Sequence, residues 1–253
     1  MTHSNHYPNL LIVAAGKGSR MGDVSVPKAL ADVGGKPNLI NTIIKLYHNV
    51  DDIYVAVSSV QYEQFQQCLK AYNWTDSVRL IVIPSGLGSG HAVMHAMSRI
   101  KQIDHKQLLI TWGDVYFDSN ALVKELTDQK TAEICDTSDL VIPCAFEQHP
   151  YLTISVDEDM SAKGVVLEPK TPGFHDQSVF LCTNTKAFYK ILQSMHHALW
   201  NVDHYITANG EFGFLQIVPF MHNIEQPATI YETDNTLLGY NTQEELAKIV
   251  ATK

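Results

Sequence analysis

The chain has no Cys-x-x-Cys pair: its four cysteines, Cys68, Cys135, Cys144 and Cys182, are widely separated. That spacing argues against a zinc site and against a disulfide framework, and suits a reducing compartment. No run reaches the ~18 consecutive apolar residues of a membrane-spanning helix, and residues 1–9 are polar, without the apolar centre of a secretory leader. A cytoplasmic location with no membrane partner is the expectation. Positive charge is scarce too. Lys and Arg number 18 against 27 Asp and Glu, and a formal net charge of −9 argues against a broad surface for nucleic acid or anionic lipid. Two well-known phosphate loops are also missing. After Gly16, both the Walker pattern and the dinucleotide pattern Gly-x-Gly-x-x-Gly need a glycine where Met21 stands.

What is present is an ordinary globular composition, 45% hydrophobic and 18% charged over 253 residues, enough for a substantial core. The stretch that organises it runs Leu10-Leu-Ile-Val-Ala-Ala-Gly-Lys-Gly-Ser-Arg-Met-Gly22, followed by Pro27-Lys28. Its first half reads as a buried parallel strand feeding a tight loop. Gly16 and Gly18 let the backbone pass close to a ligand, and successive free N–H groups there can hold an anion. Lys17, Arg20 and Lys28 add three cations. An ordinary glycine turn would explain Gly16 and Gly18 alone; it would not explain Arg20 together with Pro27-Lys28.

Strands and helices then alternate. Residues 38–49 carry apolar side chains at helical spacing, 52–58 read as a second strand, 61–72 as a helix and 78–84 as a third strand. Gly86, Gly88 and Gly90 form a second glycine loop opening a helix at His91, and residues 106–114 form a fourth strand ending in Trp112-Gly113-Asp114. This order predicts an α/β fold of Rossmann-like type, a mixed, mainly parallel sheet with helices on both faces. Ligand sites in such sheets lie beyond the carboxyl ends of the strands, where both glycine loops and Asp114 fall. From residue 139 onward the pattern loosens into short strands and turns, with strand-like runs at 139–146 and 151–156. His196, His197 and His204 invite a metal reading, but histidines scattered along a helix more often pack or face solvent.

At the first loop the chain resembles the nucleoside-triphosphate transferases acting on sugar phosphates and related phosphates, most nearly the uridylyltransferase domain of the bifunctional N-acetylglucosamine-1-phosphate enzymes. The resemblance covers most of residues 8–250. It implies the nucleotide-diphospho-sugar transferase fold as a single nucleotidyltransferase domain over 1–253, with a nucleotide-binding half at 8–120 and an acceptor-binding half at 121–253. No six-residue apolar repeat follows, so the left-handed β-helix of the bifunctional enzymes is not expected. The resemblance also implies roles. Ala14, Ala15, Gly16, Gly18, Gly88 and Ser89 would contact the nucleotide, and Arg20 and Lys28 would be catalytic through the phosphates. Asp114 and Asn241, the latter in Leu238-Gly-Tyr-Asn241, would hold Mg²⁺, and Gly164, Glu168 and Gln177 would face the acceptor. Asn241 or Thr242 can equally cap the last helix, with Glu245 as box partner. The chain departs from the uridylyltransferase pattern at Ile83, where a glutamine reads the base, and at Gln177 and Val179, where Asn-Thr-Gly binds the acceptor.

The chemistry these residues suit is nucleotidyl transfer between a nucleoside triphosphate and a phosphorylated small molecule. An ionised phosphate is already a nucleophile, so catalysis needs positioning and charge neutralisation rather than a nucleophile–histidine pair. Two other readings compete. A non-catalytic nucleotide- or sugar-phosphate-binding module fits the departures at Ile83, Gln177 and Val179. A nicotinamide-dependent oxidoreductase fits the first glycine loop, but not Met21 or the serines, Ser58 and Ser59, where an acidic residue should end the second strand.

Overall fold

The structure is a computed structural model and describes residues 7–16, 26–84, 86–100, 106–128, 131–226 and 228–252. Lys17, Gly18 and Arg20 therefore lie outside the described residues. In chain order the elements are β1 (Asn9–Val13), α1 (Asn38–Leu46), β2 (Ile53–Ser58), α2 (Tyr62–Ala71), β3 (Val78–Ile83), α3 (Ser89–Met97), β4 (Leu108–Trp112) and β5 (Val115–Tyr116). After them come α4 (Ala121–Thr127), α5 (Ala132–Thr137), β6 (Leu140–Glu147), β7 (Leu152–Val156), β8 (Ala162–Leu167), β9 (Gly173–Asp176), β10 (Val179–Cys182) and α6 (Thr185–Leu199). The chain closes with β11 (Trp200–Asn201), β12 (His204–Tyr205), α7 (Ile217–Asn223), β13 (Ala228–Glu232), β14 (Leu238–Gly239) and α8 (Gln243–Ala251).

One 10-stranded sheet runs through both halves of the sequence. Its first part, ordered β3-β2-β1-β4, is parallel, with Leu10 opposite Ile53 on one side and Leu109 on the other. Successive strands here are joined through a helix that returns the chain to the same end, which is why the pairing is parallel. Alternate residues of one strand bury on opposite faces. Leu11, Ala56, Leu108 and Ile110 join a core with α3, α6 and α7, whereas Leu10, Ile12, Val55 and Leu109 join one with α1, α2 and α4. Both faces are therefore covered, and the uninterrupted apolar runs are the imprint of that burial.

The second part is mainly antiparallel, so the sheet is mixed as expected. β10 pairs antiparallel with β4 on one side and with β6 on the other, and β13 runs parallel along the far edge of β6. β9 continues the line of β10 along β6, separated from it by a bend at Gln177–Ser178, where Ser178 takes φ +55°. On the opposite side of this bent strand, β4 lies against its second half and β7 against its first, with Ile154 opposite Phe174. The end of β4 and the start of β7 thus meet at the bend. This junction brings the second half of the sequence beside Asp114. A third, small core of Val33, Tyr116, Tyr240, Leu246 and Ile249 seats α8 beside the same strand ends.

Candidate active site

Lys28 is set by the proline before it. Pro27 has φ −55°, within the range its ring imposes, and leads into a 3-10 turn over Lys28–Leu30 closed by Leu30 N donating to Pro27 O at 2.8 Å. The turn buries Ala29 and leaves the Lys28 side chain 17% exposed. Its Nζ lies 3.3 Å from Asp114 Oδ2 and donates to Asn241 Oδ1 at 2.9 Å. Three expected site residues from the beginning, middle and end of the chain are thereby in contact.

Small residues make that meeting possible. Gly113 N donates to Val13 O at 2.9 Å, which holds the end of β4 against the end of β1. A Cβ on Gly113 would fall 2.6 Å from Ala29 Cβ and 3.1 Å from Ala14 Cβ. The first loop, the Lys28 turn and the Asp114 turn therefore close over a residue that has no side chain. Ala14 and Ala15 are buried, one in each large core, so only their backbone is left to meet a nucleotide. Gly16 is exposed, and its carbonyl accepts from Gln61 Nε2 at 3.4 Å.

Asn241 owes its position to the start of α8. Thr242 is the cap: its hydroxyl accepts from Glu245 N at 3.2 Å while Glu245 Oε2 accepts from Thr242 N at 3.0 Å and Asn241 N at 2.5 Å. With the helix end satisfied by Thr242 and Glu245, the Asn241 amide is left to face Lys28. Two buried residues that the sequence reading passed over sit behind the trio. Asn38, the first residue of α1, donates from Nδ2 to both Gly113 O and Val115 O, and Tyr240 donates its hydroxyl to Lys28 O at 2.7 Å. Burial, and then the Asp114 carboxylate, push the Tyr240 phenol up, keeping it a donor. In the sequence Tyr240 was only the variable place in Gly-x-Asn.

The second glycine loop is clasped rather than open. Gly88 caps α3 at φ +96°, and a Cβ there would lie 2.3 Å from Phe212 O. Phe212 N donates to Leu87 O at 2.9 Å, Gly90 N donates to Phe212 O at 2.8 Å, and Ser89 Oγ accepts from Phe214 N at 2.9 Å. Glycines at 88 and 90 are needed for this close approach of residues 212–214, a partner the spacing of glycines alone does not reveal. Ile83 is buried just before the loop, so no polar side chain at that position reads a base.

The acceptor candidates divide. Glu168 N donates to Tyr151 O at 3.0 Å, placing Glu168 at the start of β7, beside the bend and the end of β4. Gly164 pairs with Ser155, four residues further along β8, roughly 13 Å away at strand spacing. Gln177 requires a correction. It is 3% exposed, its Nε2 donates to His175 O and its Oε1 accepts from Leu237 N at 2.9 Å. Both ends of its amide are committed to backbone, so it ties the bend in the sheet to the segment leading to Asn241 instead of facing an acceptor.

The histidines form a separate cluster. Tyr205 OH lies 2.5 Å from His91 Nδ1 and 2.8 Å from His196 Nδ1, while His204 pairs with Asp203. Burial, reinforced by His95 and His196, lowers the His91 pKa to about 4, and burial raises the Tyr205 phenol to about 12. Neutral rings sharing one phenol are packing groups. Among the described residues no group of three or more His, Cys, Asp or Glu could hold a metal. The two side-chain oxygens converging on the Lys28 ammonium are of another kind. They are hard donors that already share one cation, and a pair of them leaves the remaining positions of a Mg²⁺ ion to water and phosphate.

A mixed sheet of this order, with a small-residue loop, a lysine and a carboxylate at its strand ends, is the architecture of the nucleotidyltransferases. Residues 10–162 match the model for the MobA-like NTP transferase domain, and the chain belongs to that family. A bifunctional GlmU protein of Buchnera aphidicola is 33% identical over 132 residues, 52% of this chain and 28% of the relative. The chain spans about half or less of the length of the curated relatives it matches. Among solved structures, the CTP:phosphocholine cytidylyltransferase of Streptococcus pneumoniae superposes with a TM-score of 0.72 at 14% identity, over 97% of this chain and 99% of that one. HddC from Yersinia pseudotuberculosis, in complex with GMP-PN, does so with a TM-score of 0.68 at 19% identity over 97% and 99%. Among the described residues no helix is long and apolar enough to cross a membrane, and all four cysteines are free.

Proposed function

We propose that the protein transfers a nucleoside monophosphate from a nucleoside triphosphate to a phosphorylated small-molecule acceptor, a sugar 1-phosphate or a similar phosphate, with release of pyrophosphate. One observation carries the reading: the Lys28 ammonium between Asp114 Oδ2 and Asn241 Oδ1, at the ends of strands whose first loop has the small residues of a phosphate site. An acceptor phosphate oxygen forms a bond to the α-phosphorus as the bond from that phosphorus to the bridging oxygen breaks, and the leaving pyrophosphate takes the electron pair. The nucleophile is already ionised, so no side chain has to remove a proton. Lys28 holds its charge beside the reacting phosphates, Arg20 joins it by resemblance, and Asp114 and Asn241 are the residues that would hold Mg²⁺. When bound, that ion neutralises phosphate charge and orients the two reacting oxygens.

On the acceptor side the geometry favours Glu168 over Gly164, and Gln177 serves through the backbone it fixes. Of the two structural neighbours named above, one is a CTP:phosphocholine cytidylyltransferase and the other is in complex with GMP-PN, so they favour no single base, and Ile83 supplies no reading group. The test is a pyrophosphate-release screen of the four common nucleoside triphosphates against phosphorylated acceptors with Mg²⁺. Release confined to one triphosphate with one class of acceptor, and absent when either is omitted, is the expected result. Nucleotide binding without release in any combination would replace this reading with that of a binding module.

A further inference from the structure

Three separate segments supply Lys28, Asp114 and Asn241, and little main-chain structure joins them. The ladder between β5 and β14 has two residue pairs, Leu238 with Tyr116 and Gly239 with Val115. Two-residue strands are too short to hold a register by themselves. Two fully buried polar side chains fill this deficit. Asn38 donates to Gly113 O at 3.0 Å and to Val115 O at 2.9 Å, the carbonyls on either side of Asp114, so one amide fixes the turn that presents the carboxylate. Tyr240 donates its backbone N–H to Asp114 O at 3.0 Å and its hydroxyl to Lys28 O at 2.7 Å, and Asn241 is the next residue.

A buried amide and a buried phenol cost free energy unless their hydrogen bonds are made, and apolar residues of similar size would pack more cheaply. Here each bond ends on the backbone of a site residue or of its immediate neighbour, an arrangement that specifies geometry. We propose that Asn38 and Tyr240 are positioning residues for nucleotidyl transfer, holding the Lys28 turn, the Asp114 turn and the Asn241 strand end at a fixed separation so that their side chains face one point. Neither touches substrate. The proposal rests on the function argued above and adds to it two residues that act through Lys28, Asp114 and Asn241.

The experiment compares full-length Tyr240→Phe, Asn38→Ala and Asp114→Asn with the unaltered protein. Two quantities are read for each: the melting temperature, and Mn²⁺ half-saturation followed by water-proton relaxation in the presence of each of the four nucleoside triphosphates. Phe65→Leu, a change on the buried face of α2, serves as the control for lost stability alone. Tyr240→Phe removes one oxygen atom and is expected to fold; it should raise the Mn²⁺ half-saturation about tenfold, on the order of one hydrogen bond. Phe65→Leu should lower the melting temperature and leave half-saturation unchanged. Asn38→Ala should weaken Mn²⁺ at least as much as Tyr240→Phe does. Unaltered Mn²⁺ binding in Tyr240→Phe, with binding abolished in Asp114→Asn, overturns the positioning role and leaves the function standing. Full Mn²⁺ binding in Asp114→Asn overturns the metal assignment itself.

Discussion

Lys28 Nζ and Asn241 Oδ1 lie 2.9 Å apart although 213 positions separate them in the chain, and the same ammonium is 3.3 Å from Asp114 Oδ2. Lys28 and Asp114 are both partly exposed, so their ion pair contributes at most ~1 kcal/mol to folding. Their convergence is of consequence for charge. In the proposed reaction the cluster would offer one cation to phosphate and two oxygens to a metal.

Lys28→Ala and Asp114→Ala should each lower turnover by roughly 10²-fold or more, the scale of removing one oriented charge-stabilising group. Melting temperatures should stay near that of the unaltered protein. Initial rates of pyrophosphate release, with the substrate pair identified by the screen, check both statements. Turnover within a few-fold of wild type in either variant would remove that residue from the site.

Gly113 and Gly16 should respond in opposite ways to the same substitution. An alanine at 113 meets Ala29 Cβ at 2.6 Å and Ala14 Cβ at 3.1 Å, two methyl groups with no rotamer to yield, whereas nothing among the described residues lies within 4 Å of a Cβ at 16. Overpacking of this kind costs on the order of 1–3 kcal/mol. Chemical denaturation should show Gly113→Ala destabilised by about that amount and Gly16→Ala close to wild type.

At Gly88 two costs add. Its φ of +96° disfavours any L side chain, and the Cβ would press on backbone, Phe212 O at 2.3 Å. Gly88→Ala should separate residues 212–214 from the loop. The expected result is a large fall in melting temperature and a KM for the nucleoside triphosphate raised at least several-fold, measured against Gly210→Ala, which is strained at φ +72° but contacts nothing among the described residues within 4 Å.

Acid should destabilise the protein through His91. Its folded pKa of about 4 is below the ordinary value of 6.5, so between these values the unfolded chain binds more protons than the folded one. Stability from this group is complete above pH 6.5 and is lost progressively as pH falls towards 4. The groups facing it are His95, His196 and the Tyr205 hydroxyl. Melting temperatures recorded from pH 7.5 to 4.5 should fall less steeply for His91→Gln than for the unaltered protein. Identical slopes would show that His91 does not titrate on unfolding.

Removal of metal is the last check. Added EDTA should abolish pyrophosphate release, and excess Mg²⁺ should restore it. Asn241→Ala should need a higher Mg²⁺ concentration for half-maximal rate, while its helix cap, Thr242 with Glu245, stays intact. An unchanged Mg²⁺ requirement would remove Asn241 as a donor.

β1, β2 and β4 were legible because both faces of each are buried, which leaves continuous apolar runs; the edge strand β3, with Arg79 and Val82 exposed, was legible from its β-branched run ending at Pro84. Helix ends were less legible: the run at 38–49 is α-helical only to Leu46 and finishes as a 3-10 turn over Tyr47–Asn49. The candidate trio was accessible through the resemblance, residue by residue. Its supports were not, since Asn38 and Tyr240 belong to no local pattern and gain meaning only from what lies behind them. Gln177 stood where the resemblance placed an acceptor contact, and the bend beside it, on a serine at φ +55°, turned its amide inward to backbone.

By itself, then, the order of residues determined the local structure and the kinds of chemical group available: apolar strands, small-residue loops, a lysine after proline, a carboxylate after glycine. Hydrophobic periodicity and backbone freedom act over a few neighbouring residues, so they can be read from the chain. Tertiary structure decided which of these groups meet. That choice depends on sheet order, on β4 and β7 meeting beside one bent strand, and on methyl groups packed around Gly113, all of them contacts between residues far apart in sequence.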